Sequence, residues 1–460
     1  MEVNKIETNQ AGREEEKSSL INKREVPASA KSQQNFTQMV ATLKEYRPLI
    51  DQLPAMMGGQ GQRRKYLILF QNNNELRPTG GFLTAYSIVY VEDGKVTPEK
   101  SDDIYELDKK FGKKITIPAE LGRYLTTEKY WHLRDMNINP DFKASMETFL
   151  QNYQTVKGEP QDIDGIIAID TKVLTDLVEV LGPIQVEGYG QFSIEPDKKY
   201  QAPQIVVALS EIITRPTPYL RQDRKGILGP MMKAILERTY GAGKETIPKL
   251  FELMIANIAQ RHVQAYFLDN SLQQAGEKIN LAGRMSAPND GSDFLAIVDA
   301  NLGGAKSNLF IDYSVKQTIL PPEDGVITKQ VTIDYKNSRP GDNCNLEAGL
   351  LCLNAVNNDW NRIYLPLGSK LLSAKGYKGE PQVYDDKEKQ LTVIDGFFSL
   401  NPNSNAKIDL TYTLPYSQNT YQLKIWQQGG LRPVKHLLDV NGNQEEIIVD
   451  RDTNYHASFN

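Results

Sequence analysis

The sequence has 460 residues, of which 40% are hydrophobic and 24% are charged, and its formal net charge is -5. This composition indicates a globular protein with room for two or three domains. The mild acidic charge, with no dense run of lysines and arginines, argues against nucleic-acid binding. No apolar run reaches the length of a membrane span, and the first ten residues lack the apolar core of a signal peptide.

The N-terminal region divides into a polar tail and a helix. Residues 1–34 are charged and nearly free of aromatic side chains, which predicts a disordered tail. Residues 35–64 are predicted to be a helical lead-in, because apolar residues recur at helical spacing from Phe36 to Leu53 and Pro54 ends the pattern.

An unusually long polar loop follows the lead-in. Residues 66–70 and 82–91 have the pattern of two buried strands, and about ten polar residues including Arg77 join them. Ordinary hairpin loops need two to five residues, so the length of this loop predicts a role in binding. The alternative is a hydrophilic turn whose asparagines accept local backbone hydrogen bonds.

Two polar runs come next. Asp102, Asp103, Glu106 and Asp108 lie within seven residues, and clustered carboxylates suit a hard cation such as Mg²⁺. A solvated acidic loop is the alternative for this first run.

The second run ends at a predicted helix start near Asp141, and it contains Arg134, Asp135, Asn137 and Asn139. Polar groups before a helix start form a natural anion or metal site, although helix capping alone also explains Asp141.

An α/β arrangement is predicted for the middle of the chain. A buried strand at residues 166–169 leads into a helix near Thr171, and Gly182 with Pro183 ends that helix. Farther on, Arg221 and Arg224 fall in an arginine-rich loop at a helix start. Such a loop suits phosphate oxygens, and a basic surface paired with nearby acids is the alternative.

The pattern changes near residue 301 to short alternating strands separated by turns. We therefore predict an α/β domain at residues 65–301 and a β-sandwich of immunoglobulin-like character at residues 306–460, joined by an exposed linker near Leu302. Cys344 and Cys352, eight positions apart, either form a disulfide or remain a reduced pair.

Several of these segments resemble a bacterial family of unknown function numbered 4012, over roughly residues 49–426. The segments that carry this resemblance are residues 67–82, 103–108, 134–142, 164–184, 365–376, 395–402 and 410–415.

More distantly, residues 65–240 resemble the LytR-CpsA-Psr phosphotransferases of bacterial cell envelopes in the order of their strands, arginine loops and acidic run. Those enzymes move a glycopolymer from a polyprenyl pyrophosphate carrier to the cell wall, with arginines on the pyrophosphate and a magnesium ion. The resemblance implies helices packed on a central mixed sheet, an extracytoplasmic location, a lipid-linked glycopolymer or other envelope component as partner, and magnesium as cofactor.

Site residues follow from this resemblance and from the polar run before Asp141. The prediction assigns catalysis to Asp103 and Arg77, substrate binding to Arg77, Arg134, Arg221, Arg224 and Asn137, and the metal to Asp103 and Asp135.

The Arg-Asp-Thr signature of those enzymes is not present, since residues 77–79 lack the acid and residues 102–104 lack the arginine. Two hypotheses follow: a magnesium-assisted glycopolymer phosphotransferase, or a non-catalytic envelope protein that binds a lipid-linked or glycan ligand in the same pocket and a partner on its β-sandwich.

Overall fold

The computed structural model describes residues 44, 46–59, 61–214, 226–345 and 348–459. The predicted tail, residues 1–34, and the predicted substrate-binding residues Arg221 and Arg224 lie outside the described residues. Helix α1 (Arg47–Met56) belongs to the predicted lead-in. The chain from Gln52 to Asn460 forms one compact unit.

The first sheet is mixed, as predicted, and has five strands in the order β3-β2-β1-β4-β7. The first seven strands of the described chain are β1 (Arg64–Asn72), β2 (Phe82–Glu92), β3 (Lys95–Asp103), β4 (Gly165–Asp170), β5 (Ile184–Val186), β6 (Gly190–Phe192) and β7 (Val263–Phe267). Strand β1 pairs antiparallel with β2 and parallel with β4. The β2–β3 turn uses Asp93 and Gly94 at φ values of 45° and 79°, which match the twist of the two strands.

Helices pack on this sheet and on one another. They are α2 (Ile104–Lys110), α3 (Ala119–Gly122), α4 (Phe142–Tyr153), α5 (Thr171–Leu181), α6 (Gln204–Thr214), α7 (Leu228–Tyr240), α8 (Ile247–Ala259) and α9 (Asn270–Lys278). One apolar core joins α2 and α4 to β1, β2 and β4, and another joins α5, α6 and α7. The side chain of Asp141 caps α4 by accepting a hydrogen bond from the Ala144 amide, as expected for a helix that starts there.

Two six-stranded sheets form the C-terminal region, in the orders β12-β15-β10-β9-β17-β18 and β13-β14-β11-β8-β16-β19. Their strands are β8 (Asp293–Asn301), β9 (Ile311–Ile319), β10 (Val326–Asn337), β11 (Asn357–Pro366), β12 (Lys370–Lys375), β13 (Gln382–Asp386), β14 (Leu391–Leu400), β15 (Ser404–Pro415), β16 (Thr420–Trp426), β17 (Val434–Val440), β18 (Asn443–Val449) and β19 (Thr453–Ser458). Side chains from both sheets, including Ile297, Val331 and Phe398, share one apolar core. The region is therefore two facing sheets, while immunoglobulin-like character remains a prediction.

The predicted domain boundary needs a correction at strand β8. Residues 293–301 were assigned to the α/β domain, but β8 pairs with β11 and β16 in the C-terminal sheets. Every residue of β8 is buried, which is expected of a strand at the centre of a covered sheet. The C-terminal region therefore begins before Asp293. None of the helices in the described residues is long and apolar enough to cross a membrane.

Candidate functional site

The long polar loop between β1 and β2 packs against the C-terminal region. The Leu76 carbonyl accepts a hydrogen bond from the Asn301 amide (2.9 Å), and the Asn74 carbonyl accepts one from the Asn308 amide (3.1 Å). The Asn73 side-chain amide donates to the Gly430 carbonyl (3.1 Å). These bonds connect residues more than two hundred positions apart, so the loop joins two parts of the molecule and is not a free hydrophilic turn.

Arg77 is buried in this loop, with 5% of its surface exposed. Its Nη1 donates to the carbonyl oxygens of Leu76 and Asn301, and its Nη2 lies 3.3 Å from Glu75 Oε1. The guanidinium group also covers the Phe82 ring at 5.0 Å. Most of the donors that would bind a pyrophosphate are therefore occupied by the protein itself.

Arg134 is also held by groups of the protein itself. Its guanidinium group forms ion pairs with Asp108 (2.8 Å), Glu128 (2.9 Å) and Asp135 (3.5 Å), and it lies over the Tyr105 ring at 4.9 Å. Burial raises the pKa of Asp108 and of Asp135, and the nearby arginines oppose both shifts.

The two arginines are outnumbered by carboxyl groups in this cluster. Arg77 and Arg134 contact Glu75, Asp108, Glu128 and Asp135, so the described part of the site carries an excess of negative charge. A phosphate group would meet carboxylates beside each guanidinium, which is unfavourable without further cations.

The predicted magnesium ligands Asp103 and Asp135 both contact groups of the protein itself, so magnesium binding stays a prediction. Asp103 is the N-cap of α2 and accepts a hydrogen bond from the Tyr105 amide, while Asp135 lies beside the guanidinium group of Arg134 and feels the charge of Arg77. A metal ion at Asp135 would be repelled by these two cations. No group of three His, Cys, Asp or Glu side chains within the described ranges has an arrangement suited to a metal ion.

The side chain of Asn137 is buried and is hydrogen-bonded to the loop. It is fully buried, and its amide nitrogen donates to Thr79 Oγ1 (2.8 Å) and to the Gly81 carbonyl (2.9 Å). Gly81 has no space for a side chain, since a Cβ atom there would lie 2.4 Å from the Asn72 backbone. Asn137 therefore fixes the glycine corner of the loop, and a ligand does not reach it in this conformation.

A cavity of about 280 Å³ lies where the loop meets the C-terminal sheets, and we call it the junction cavity. Its walls include Asn73 from the loop, Asp299 on β8, Tyr335 on β10, and Asn357 and Asp359 on β11. All but Asn73 are at most 2% exposed. The cavity thus has buried polar side chains in its walls, while its rim includes exposed residues such as Ile448.

The polar groups of the junction cavity are mostly acceptors. Asp299 accepts hydrogen bonds from the Tyr335 hydroxyl (3.1 Å) and from the Asn361 amide (2.6 Å), and Asp359 accepts one from the Asn357 amide (3.0 Å). The Oδ1 atoms of Asn73 and Asn357 are buried and have no hydrogen-bond partner in the part of the chain that the structure describes. Unpaired buried acceptors can be satisfied by a donor from outside the protein, such as water or a ligand.

The carboxyl groups of Asp299 and Asp359 are also close enough to affect each other's pKa. Burial raises the pKa of Asp299 to about 6, and burial together with the charge of Asp299 raises the pKa of Asp359 well above its usual range. The charged forms of both carboxyl groups are therefore disfavoured, and the two groups titrate as a pair. The rim cations Arg432 and Lys435 form ion pairs with Asp312, which also lines the cavity, and with Glu446 respectively.

The junction cavity was not predicted from the sequence, although the pattern of polar residues on β11 indicates it. Asn357, Asp359 and Asn361 alternate along this strand, which places three polar side chains on one face. All three are buried. Buried polar residues at every second position of a strand are unusual on a covered sheet, and they mark the site in retrospect.

Comparison with known proteins supports the resemblance seen in the sequence. Residues 61–204 match the family model described as Protein of unknown function (DUF4012). This stretch is similar to that family, and we call it the DUF4012 region. No curated protein matches the chain.

The DUF4012 region and the chain beyond it show only distant likeness to solved structures. A protein from Streptococcus agalactiae is 14% identical, with 50% of this chain and 76% of that chain covered and a TM-score of 0.30. A transcriptional regulator from Enterococcus faecalis is 13% identical, with 48% and 72% covered and a TM-score of 0.27. A protein from Listeria innocua is 13% identical, with 49% and 83% covered and a TM-score of 0.26. Scores this low do not establish a shared fold.

The DUF4012 region contributes only one side of the junction cavity. Asn73 and Asn74 belong to it, whereas Asp299, Asn357 and Asp359 lie beyond residue 204. The complete cavity therefore requires both the family region and the C-terminal sheets.

Proposed function

We propose that this protein is a non-catalytic binding protein of the cell envelope that takes a neutral, hydroxyl-rich ligand, such as one sugar unit of a glycan, in the junction cavity. The observation that carries the proposal is the set of buried acceptors around the cavity. Sugar hydroxyl groups supply the donors that the unpaired Oδ1 atoms of Asn73 and Asn357 lack.

The size and charge of the cavity support this class of ligand. About 280 Å³ is at the small end of ligand pockets and suits a single ring. The paired carboxyl groups of Asp299 and Asp359 disfavour anions. The oxygen atoms of these two carboxyl groups are also acceptors that hydroxyl donors can satisfy.

The location in the envelope is supported by the disulfide between Cys344 and Cys352. Disulfides persist in oxidising compartments and are rare where thiols are kept reduced. The resemblance of residues 65–240 to envelope phosphotransferases points to the same compartment.

A magnesium-dependent glycopolymer phosphotransferase is the second candidate. It is supported by the order of segments in the sequence. Because Arg77 and Arg134 are already engaged by carboxylates, this function would require Arg221 and Arg224 to supply the positive charge that binds the pyrophosphate. The carboxylates beside both of those arginines favour the binding protein.

Calorimetric titration separates the two candidates. The probes are neutral disaccharides and N-acetylglucosamine oligosaccharides, and a short-chain polyprenyl pyrophosphate with magnesium. Asn357→Leu removes an unpaired acceptor of the cavity, so saccharide affinity is expected to fall roughly tenfold to a hundredfold, the effect of losing about 1.5 to 3 kcal/mol. Asn358→Leu is the matched control, because Asn358 is the next residue on β11 and its side chain points away from this face.

Two results would contradict the binding-protein proposal. Equal saccharide affinity in the wild type and Asn357→Leu would place the ligand elsewhere. Binding of the pyrophosphate without binding of any saccharide would favour the phosphotransferase.

A further inference from the structure

A lysine and an aspartate face each other in the core between the two C-terminal sheets. Lys329 lies on β10 of one sheet, and Asp293 is the first residue of β8 in the other. Both side chains are 0% exposed, and Lys329 Nζ lies 2.6 Å from Asp293 Oδ2. An amine and a carboxyl group are therefore in contact across an apolar layer, away from solvent.

The surroundings of Lys329 favour its neutral form. Burial lowers the pKa of Lys329, although Asp293 opposes this shift. His436, which feels the charge of Lys329, has its pKa lowered to about 3 by burial and contributes no charge at neutral pH. A neutral, desolvated lysine is a nucleophile, and a protonated carboxyl group is its matching electrophile.

The hydroxyl group of Tyr421 contacts both partners. It accepts a hydrogen bond from Lys329 Nζ (3.1 Å) and donates one to Asp293 Oδ2 (2.5 Å). The other carboxyl oxygen, Oδ1, accepts a hydrogen bond from the Phe294 amide (2.7 Å), which holds the carboxyl group in place. This arrangement gives the amine a path for its proton to the oxygen that must leave.

We propose that Lys329 and Asp293 condense into an intramolecular isopeptide bond that joins the two C-terminal sheets covalently. The lone pair of Nζ attacks Cγ of the protonated Asp293 carboxyl group and forms the Nζ–Cγ bond. A proton passes from Nζ to the Tyr421 oxygen while the Tyr421 hydroxyl proton moves to Oδ2. The Cγ–Oδ2 bond then breaks, one water molecule leaves, and Tyr421 is restored.

The proposed reaction needs no other reactant. The condensation changes no oxidation state, and the proximity of the groups replaces an encounter between separate molecules. The bond would link β10 to β8, which belong to different sheets. Backbone hydrogen bonds join strands within one sheet and do not hold the two sheets together, whereas this covalent bond would resist their separation. This feature is independent of the junction cavity and of its ligand.

Intact-mass spectrometry of the denatured, reduced full-length chain tests the proposal. Reduction first removes the disulfide, so the wild-type mass is expected to fall below the sequence mass by one water molecule. Tandem mass spectrometry of a digest should then show the two peptides joined at Lys329 and Asp293. Lys329→Met and Asp293→Ala are expected to show their full sequence masses.

Lys389→Met is the matched control, because Lys389 is also buried and pairs with Asp386 at 3.0 Å within one hairpin. This variant should still lack the water molecule. Tyr421→Phe should slow the reaction and leave a fraction at the full mass.

Two results would overturn the bond itself: a wild-type chain at its full sequence mass, or a water loss that maps to other residues. Both can be read on wild-type protein, so they do not depend on the folding of a variant. Complete conversion of Tyr421→Phe at the wild-type rate would remove the hydroxyl group from the reaction.

Discussion

The guanidinium group of Arg77 is surrounded by two carbonyl oxygens, a carboxylate and an aromatic ring. At the scale of the single residue, the question is whether this arginine serves a ligand or the fold. A planar fork that donates to fixed carbonyl oxygens holds those oxygens in place, and removing it leaves them buried and unpaired. The geometry gives Arg77 the role of connecting the loop to Asn301.

We therefore expect Arg77→Ala to lower the free energy of unfolding by about 3 to 5 kcal/mol, because Glu75 would keep a buried charge without its partner. Arg77→Lys should lose about 1 to 3 kcal/mol, since a single ammonium group does not reach both carbonyl oxygens. Denaturant unfolding measures both values. Arg238→Ala is the control, because Arg238 is exposed and, among the described residues, its side chain donates a hydrogen bond to the Leu181 carbonyl through Nε. This variant should lose about 1 kcal/mol or less. If Arg77→Ala keeps the stability of the wild type, the fold does not need Arg77, and this residue is again a candidate ligand contact.

At the scale of the element, local chemistry explains which predictions succeeded. The start of α4 near Asp141 and the strand, helix and stop from Gly165 to Gly182 are confirmed, because caps, helical periodicity and glycine stops act over a few residues. The polar loop was recognised as unusual, but its partners Asn301 and Gly430 are remote in sequence, and no local pattern indicates them. The same limit applies to β8, whose assignment depends on distant strands.

The residue that caps α5 allows a test of how much one buried contact stabilises a helix start. Asp170 caps the helix through the Lys172 and Val173 amides, and its Oδ2 also lies 2.6 Å from His262 Nδ1. Asp170→Ala should therefore lose about 2 to 4 kcal/mol, the effect of a cap plus a buried side chain left unpaired. Asp269 caps α9 with the same two backbone bonds but is exposed, so Asp269→Ala is the matched control and should lose about 1 kcal/mol.

Urea unfolding of the two cap variants measures both changes. Equal losses would mean that the contact between Asp170 and His262 adds nothing to the stability of this element.

At the scale of the whole molecule, the contacts of the loop connect the first sheet to the C-terminal sheets. Gln428 contributes to this connection, since its side-chain amide donates to the carbonyl oxygens of Arg77 (2.9 Å) and Asp299 (2.8 Å). Together with the compact unit from Gln52 to Asn460, these bonds argue against two independently folding domains with an exposed linker near Leu302.

We expect the two regions to unfold together. Native-state hydrogen exchange, read by mass spectrometry on peptides from β4 and from β14, should give the same free energy of opening for the slowest amides of both strands. Gln428→Ala breaks both bonds at the connection, so it should lower this free energy first in β4, which belongs to the smaller sheet. Gln418→Ala should leave both strands unchanged, because Gln418 is partly exposed and bonds only the Asp290 carbonyl at the surface. If β4 in the wild type already opens at a clearly lower free energy than β14, the two regions are separate folding units, and the junction cavity opens whenever they part.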